Sequence, residues 1–110
     1  MALDVKTLRQ LVDSDPSDTM LRYVLGLKLF EEDGTPAALQ EAALHLSFVR
    51  KNDAKNVAAW YVLAQVHAEL GRIEDARAVL NDCIAQIDAH RDIDGTDLLP
   101  RIEAMLDELE

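Results

Sequence analysis

The chain has 110 residues, of which 49% are apolar and 29% charged, so it can bury one core without metals or disulfides. Its net charge is −10 and its Lys and Arg residues form no cluster, which disfavours nucleic acid and anionic membranes as partners. The single cysteine cannot close a disulfide within the chain, and the sequence shows no signal-peptide pattern, which favours a reducing compartment. The sequence also lacks the apolar run of about 20 residues that a membrane-spanning helix needs. We therefore expect one globular, cytoplasmic domain over residues 1–110 that does not enter a membrane.

The first predicted helix is bounded by an acidic cap and a proline. Asp4 can cap a helix that runs to about Asp13, with Leu8 and Leu11 on its apolar face. Pro16 then interrupts the chain, because proline lacks a backbone N–H donor and restricts the residue before it. This pattern predicts a short helix followed by a tight connection.

Five further helices follow at short intervals. Gly34 and Gly71 each end an apolar helical stripe, since glycine tolerates the left-handed conformation of a helix end, and Thr35 with Pro36 is a strong helix start. The predicted ranges are about 18–32 (capped by Ser17 or Asp18), 36–51, 57–70 (capped by Asn56), 72–89 and 97–109, with a loop at 90–96. Six helices, no strand and short connections predict an all-α fold with antiparallel neighbours.

The helical hairpins contain an internal repeat. In the first helix of each unit, residues 22–29 match 60–67 at a separation of 38, and in the second helix residues 42–46 match 76–80 at a separation of 34. The difference between the two separations places four extra residues near 31–40, between the two helices of the first unit. We expect this insertion in the turn, because loop-closure entropy grows slowly with length.

The repeat resembles the tetratricopeptide repeat family, whose unit reads W-x2-L-G-x2-Y, then A-x3-F, then P. The second unit matches at Trp60, Leu63, Ala64, Gly71, Ala76 and Leu80, and the first unit at Leu25, Gly26, Ala42 and Leu46. The chain departs from the pattern at Arg22, His67 and Asp88. The resemblance covers about residues 4–90.

The resemblance implies a right-handed stack of antiparallel helical hairpins, that is, a small solenoid. Its parts are an N-terminal half unit at 1–18, a repeat unit with the insertion at 19–56, a repeat unit at 57–90 and a C-terminal capping helix at 96–110. Small residues at Gly26 and Ala64 would let neighbouring helices approach closely. Glu103 takes the equivalent position of the last helix, which is why we interpret that helix as a cap with a polar outer face.

In this family the first helix of each unit lines a concave groove that binds part of another protein. Transferred to this sequence, the candidate partner-binding residues are Met20, Tyr23, Leu27, Phe30, Tyr61, Gln65 and Glu69, with Glu31, Ala58 and Ala68 at the other groove positions. Family members that grip a terminal carboxylate use Lys, Asn and Arg at groove positions that here hold Tyr, Leu and Gln. We therefore expect a protein or peptide partner that presents apolar and basic side chains.

Two alternatives remain open for these residues. Met20, Leu27 and Phe30 could instead pack on the first helix and leave only the tyrosines partly exposed. The same apolar groove could also form the interface of a symmetric homodimer, which would make the chain a self-assembling structural protein.

No group of residues suggests catalysis, and neither a cofactor nor a metal is expected. Cys83 occupies an interior position and is predicted to be a buried, unreactive thiol. His45, His67 and His90 lie on different helices or helix ends, without the spacing of metal ligands. Residues 92–97 resemble part of a calcium loop but lack its distal glutamate, so a turn with a helix cap is the favoured interpretation.

Overall fold

The computed structural model describes residues 3–89 and 96–109, which form six α-helices. The helices are α1 (Val5–Ser14), α2 (Thr19–Lys28), α3 (Pro36–Asn52), α4 (Val57–Glu69), α5 (Ile73–Ala89) and α6 (Leu99–Glu108). A π-helical turn, Leu29–Asp33, extends α2, and a 3-10 turn, Thr96–Leu98, precedes α6. No strand occurs in these two stretches, so the all-α prediction is confirmed. None of the described helices is long and apolar enough to cross a membrane.

The predicted caps fix where the helices begin. In each case a side-chain oxygen accepts a hydrogen bond from a backbone N–H in the first helical turn, where that donor has no partner within the helix. The caps are Asp4 on α1, Asp18 on α2, Thr35 on α3 and Asn56 on α4. Gly34 and Gly71 follow α2 and α4 with φ of 69° and 78°, in the left-handed region that favours glycine.

The four extra residues of the first unit do not form a longer turn, so that expectation was wrong. Only Gly34 and Thr35 separate the π-helical turn from α3. The extra length is taken up instead by the turn Leu29–Asp33 at the end of α2 and by an earlier start of α3. A π-turn accommodates an added residue inside a helix while keeping its backbone hydrogen-bonded.

The last helix also begins later than predicted. The sequence pattern suggested a helix from Asp97, whereas residues Thr96–Leu98 form the 3-10 turn and α6 begins at Leu99. Pro100 explains the difference, because it lies in the first turn of α6, where its missing N–H needs no partner within the helix. Residues 90–95, which include most of the predicted loop, lie outside the described part of the chain.

Each helix packs mainly on its neighbours in sequence, as expected for a stack of antiparallel hairpins. Helices α2 and α3 approach closely at Gly26, where an added Cβ would lie 2.8 Å from Cγ of the fully buried Leu46. The prediction that glycine permits this approach is confirmed. The right-handed sense of the stack stays a prediction.

The departure at Arg22 is compensated by local contacts. The Arg22 guanidinium lies 3.9 Å from the centre of the Phe48 ring, and its Nε donates a hydrogen bond to the Pro16 carbonyl oxygen at 2.6 Å. Between α3 and α4 the ring and the cation exchange places. Trp60 of α4 is the equivalent of Arg22, and the Arg50 guanidinium of α3 lies 4.9 Å from the centre of its ring. In both places a guanidinium therefore covers an aromatic ring of the next helix.

Ion pairs and hydrogen bonds connect successive units through α1, α3 and α5. Arg9 of α1 donates two hydrogen bonds to the Glu41 carboxylate of α3, and Arg50 of α3 pairs with Asp82 of α5. Leu11 of α1, which we expected on the buried face, is 37% exposed, while Leu8 is fully buried. The apolar face of α1 is thus narrower than its sequence suggested.

Candidate functional site

One surface of the molecule carries two adjoining hollows lined by α2, α4 and α6. The larger has a volume of about 500 Å³ and includes Tyr23 and Tyr61 in its lining. The smaller, of about 380 Å³, includes Tyr61 and Met105. Residues that line both hollows are Phe30, Tyr61, Gln65 and Arg101. We refer to the two hollows together as the groove.

The structure places most of the predicted partner-binding residues in this groove. Those lining the larger hollow are Tyr23, Leu27, Phe30, Tyr61 and Gln65, joined by Glu31 and Ala58. Glu69 and Ala68 line the smaller hollow. Met20 differs, since it is 60% exposed and lines neither of these hollows.

Helical spacing explains why these side chains share one surface. Tyr23 and Leu27 of α2 are four residues apart, as are Tyr61 and Gln65 of α4, so each pair lies on one face of its helix. Phe30 belongs to the π-helical turn that extends α2. The π-helical turn of the first unit therefore contributes directly to the lining of the groove.

The floor of the groove is apolar and half-buried. Tyr23, Leu27, Phe30 and Tyr61 are partly buried hydrophobic residues packed against the core. Neither tyrosine hydroxyl makes a hydrogen bond with another described residue. Burial raises the pKa of Tyr23, with a further contribution from the nearby Glu31 carboxylate, so this hydroxyl stays protonated and can donate a hydrogen bond to a ligand.

The charged residues of the groove are mostly acidic. Glu31, Glu69 and Glu108 line it, against the single cation Arg101. None of these four forms an ion pair with any residue in the described stretches. A ligand in the groove therefore meets an apolar floor surrounded by an excess of negative charge.

Helix α6 adds lining residues that the sequence analysis did not select. Arg101, Met105 and Glu108 of α6 line the groove together with Leu98 of the preceding 3-10 turn, while Ile102 of α6 is fully buried. The signal was present, because α6 aligns with the first helix of a unit and the groove positions could have been continued onto it. Glu103, which suggested a cap, is exposed.

Cys83, His45 and His67, which were considered for chemistry, line neither hollow of the groove. Cys83 is fully buried, its thiol points at the Val57 carbonyl oxygen 3.8 Å away, and burial raises its pKa to about 11. Burial also lowers the pKa of both His45 and His67. Within residues 3–89 and 96–109 no three His, Cys, Asp or Glu side chains are grouped to hold a metal ion. His90 and most of the calcium-like segment, residues 92–95, lie outside the described residues.

Comparison with known protein families gave a match that covers the middle of the chain. A family model described as tetratricopeptide repeat matches residues 37–93, just over half of the chain. The match covers α3, α4 and α5 and thus includes the Tyr61 side of the groove. A search of curated proteins gave no match.

Proposed function

The chain belongs to the tetratricopeptide repeat family, and from this premise we propose that its groove binds a segment of a partner protein. Such a domain is a protein–protein interaction module. The proposal assigns the binding to the surface between α2, α4 and α6 and includes no catalytic step.

One observation carries the proposal. Tyr23 and Tyr61, from successive units, line the same open hollow together with Leu27 and Phe30. Tyrosine combines a large apolar ring with a polar tip, and it is enriched among the residues that dominate binding energy at interfaces. Half-buried rings with free hydroxyls are already held in place, so a ligand loses little by ordering them.

The charge of the groove supports a partner with basic and apolar side chains. Glu31, Glu69 and Glu108 can pair with Lys or Arg of the partner, and the apolar floor can take an aliphatic or aromatic side chain. An amphipathic helix or an extended peptide of this composition would match the lining of the groove. The acidity of the C-terminal half of the chain would also attract such a partner over a longer range.

The test is replacement of both tyrosines. We expect Tyr23→Ala with Tyr61→Ala to weaken partner binding by about 1 to 3 kcal/mol, roughly 5- to 150-fold in Kd, because the two rings provide the central contact area. Partners captured from an extract of the cells that make the protein are identified by mass spectrometry. The Kd of the purified partner is then measured by calorimetry.

The double variant Tyr23→Phe with Tyr61→Phe is the matched control, since it keeps the rings and removes only the hydroxyls. It should retain most of the affinity. Circular dichroism establishes that both variants stay helical. Unchanged affinity of a folded alanine variant would show that the partner binds elsewhere.

Self-association through the same groove is the rival proposal. Its support is the apolar floor, which a second copy could cover in a symmetric dimer. Light scattering across a dilution series separates the two, because a dimer that the tyrosine-to-alanine variant dissociates would favour self-assembly over binding of a different protein.

A further inference from the structure

A second concave surface lies along α3 and shares no lining residue with the groove. It consists of two adjoining hollows of about 330 and 270 Å³ that meet at Ser47. Leu44 and Arg72 line the first hollow, and Lys51 and Trp60 line the second. We call this surface the α3 face.

The charge of the α3 face is opposite to that of the groove. Its charged lining residues are Arg50, Lys51 and Arg72, and no carboxylate lines either hollow. Arg50 is paired with Asp82, whereas Lys51 and Arg72 form no ion pair with any residue in the described ranges. In a chain of net charge −10, a cation beside each of the two adjoining hollows, neither paired with a described residue, marks a local site for negative charge.

Two residues that line the α3 face each carry a buried polar atom with no partner among the described residues. Trp60 is only 7% exposed, and its indole Nε1 has no hydrogen-bond partner among the described residues. His67, which lines the other hollow, has an unpartnered Nδ1, also among the described residues. An indole N–H can only donate, so it needs an acceptor oxygen, and a buried donor without one is unfavourable.

An apolar contact point completes the α3 face. Leu44 is 72% exposed, the highest value among the large hydrophobic residues of the described chain. It lies on the same stripe of α3 as Ser47 and Lys51, at helical spacings of three and four residues. A helix or extended segment lying along this stripe would meet a leucine and a lysine in succession.

We propose that the α3 face binds an acidic, amphipathic segment of another protein. Its carboxylates pair with Lys51 and Arg72, and an apolar side chain packs on Leu44. A backbone or carboxylate oxygen reaches the Trp60 indole N–H after a small shift of the ring. This second interaction is independent of the groove, which has the opposite charge and attracts a different partner. Simultaneous occupation would make the domain a bridge between two proteins.

The probe is a synthetic amphipathic peptide with Leu and Glu at helical spacing, compared with the same peptide carrying Lys in place of every Glu. Trp60 is the only tryptophan of the chain, so its fluorescence and its indole N–H signal in NMR report on this face without labelling. We expect the Glu peptide to shift the indole signal saturably and the Lys peptide to leave it unchanged. Binding of the Glu peptide should weaken as salt is added.

Charge-reversal variants locate the site. Lys51→Glu and Arg72→Glu should each weaken the Glu peptide by about tenfold or more, because each removes an attraction and adds a repulsion. Lys6→Glu, an equal change of charge at an exposed position of α1, should change the affinity by less than about twofold, since distant exposed charges are screened. Leu44→Ala should weaken binding without unfolding the chain, because Leu44 is exposed.

Three results would overturn the proposal. The first is the absence of a saturable shift at millimolar Glu peptide. The second is an equal loss of affinity in the Lys6→Glu and Lys51→Glu variants, which would reduce the effect to overall charge. The third is concentration-dependent dimerisation, measured by light scattering and abolished by Leu44→Ala, which would assign the α3 face to a second copy of this chain.

Discussion

At the scale of single residues, the contact between Gly26 and Leu46 gives the sharpest prediction. A methyl group added at Gly26 would lie 2.8 Å from Leu46 Cγ, and Leu46 is fully buried. Overpacking of this kind costs about 1 to 3 kcal/mol, while alanine is favoured over glycine within a helix by about 1 kcal/mol. Since the gain offsets part of the cost, we expect Gly26→Ala to lower the free energy of unfolding by up to about 2 kcal/mol, measured by urea denaturation.

The sign should reverse when the leucine is shortened. In a Leu46→Ala background the clash disappears and only the helix propensity remains, so Gly26→Ala should raise the free energy of unfolding by up to about 1 kcal/mol. Leu46→Ala alone should cost about 2 to 5 kcal/mol, as for other buried leucines. If Gly26→Ala had the same effect in both backgrounds, steric contact with Leu46 would not be the reason for glycine at this position.

At the scale of elements, a hydrogen bond from one arginine helps to hold α6 against α5. The Arg77 guanidinium of α5 donates a hydrogen bond to the Leu109 carbonyl oxygen, just after the last residue of α6. This carbonyl has no partner within its helix, and a cation near a helix C-terminus also interacts favourably with the helix dipole. Arg77→Ala should weaken the attachment of α6 by about 1 kcal/mol.

Hydrogen exchange of the backbone amides measures this effect. In Arg77→Ala we expect the amides of α6 to exchange about fivefold faster, while those in the middle of α3 and α4 change little. Arg101→Ala is the control, because Arg101 lies on α6 itself but makes no ion pair with a described residue. Equal acceleration in both variants, or an equal change throughout the molecule, would contradict a local role for Arg77.

The helices themselves were more predictable from the sequence than the set of helices that line the groove. Local signals such as the Asp4 and Asn56 caps identified helix starts, because capping depends on residues within one turn. The π-helical turn was missed, since an insertion looks the same in sequence whether it lengthens a helix or a loop. The contribution of α6 to the groove depends on how α6 packs on α5, which the residue pattern of α6 alone does not specify.

Most positions transferred from the family pattern lie in the groove, because helical periodicity keeps residues at these spacings on the same face of a helix. Met20 shows the limit of this reasoning, since it satisfies the same spacing yet lies near the start of α2, outside both hollows. The unpaired cations of the α3 face were not foreseen. In the sequence Lys51 and Arg72 are 21 residues apart, and only the antiparallel packing of α3 and α4 brings them beside adjoining hollows.

At the scale of the whole molecule, the titrating groups favour folding at neutral pH. Burial lowers the pKa of His45 and His67 below the ordinary value of 6.5. The folded state therefore binds fewer protons than the unfolded state once the pH falls below about 6.5, and stability decreases through that range. Below pH 4.5 a second loss begins, because hydrogen bonds from Arg9 lower the pKa of Glu41, and its stabilising ionised form disappears as the carboxylate is protonated.

We expect the free energy of unfolding from urea denaturation to be highest near pH 7.5 and to fall by pH 5.5, before the carboxylates titrate. The groups that face His45 are Glu41, Arg9 and Arg22; Glu41 favours the imidazolium and the two arginines oppose it, so burial decides the sign. The His45→Gln and His67→Gln double variant should show a smaller loss over this interval, because glutamine does not titrate.

Relief of repulsion among the surplus carboxylates acts in the opposite direction as the pH approaches the isoelectric point of 4.6. A wild-type chain that gains stability between pH 7.5 and 5.5 would show that this overall charge, and not the burial of the two histidines, governs the response to acid.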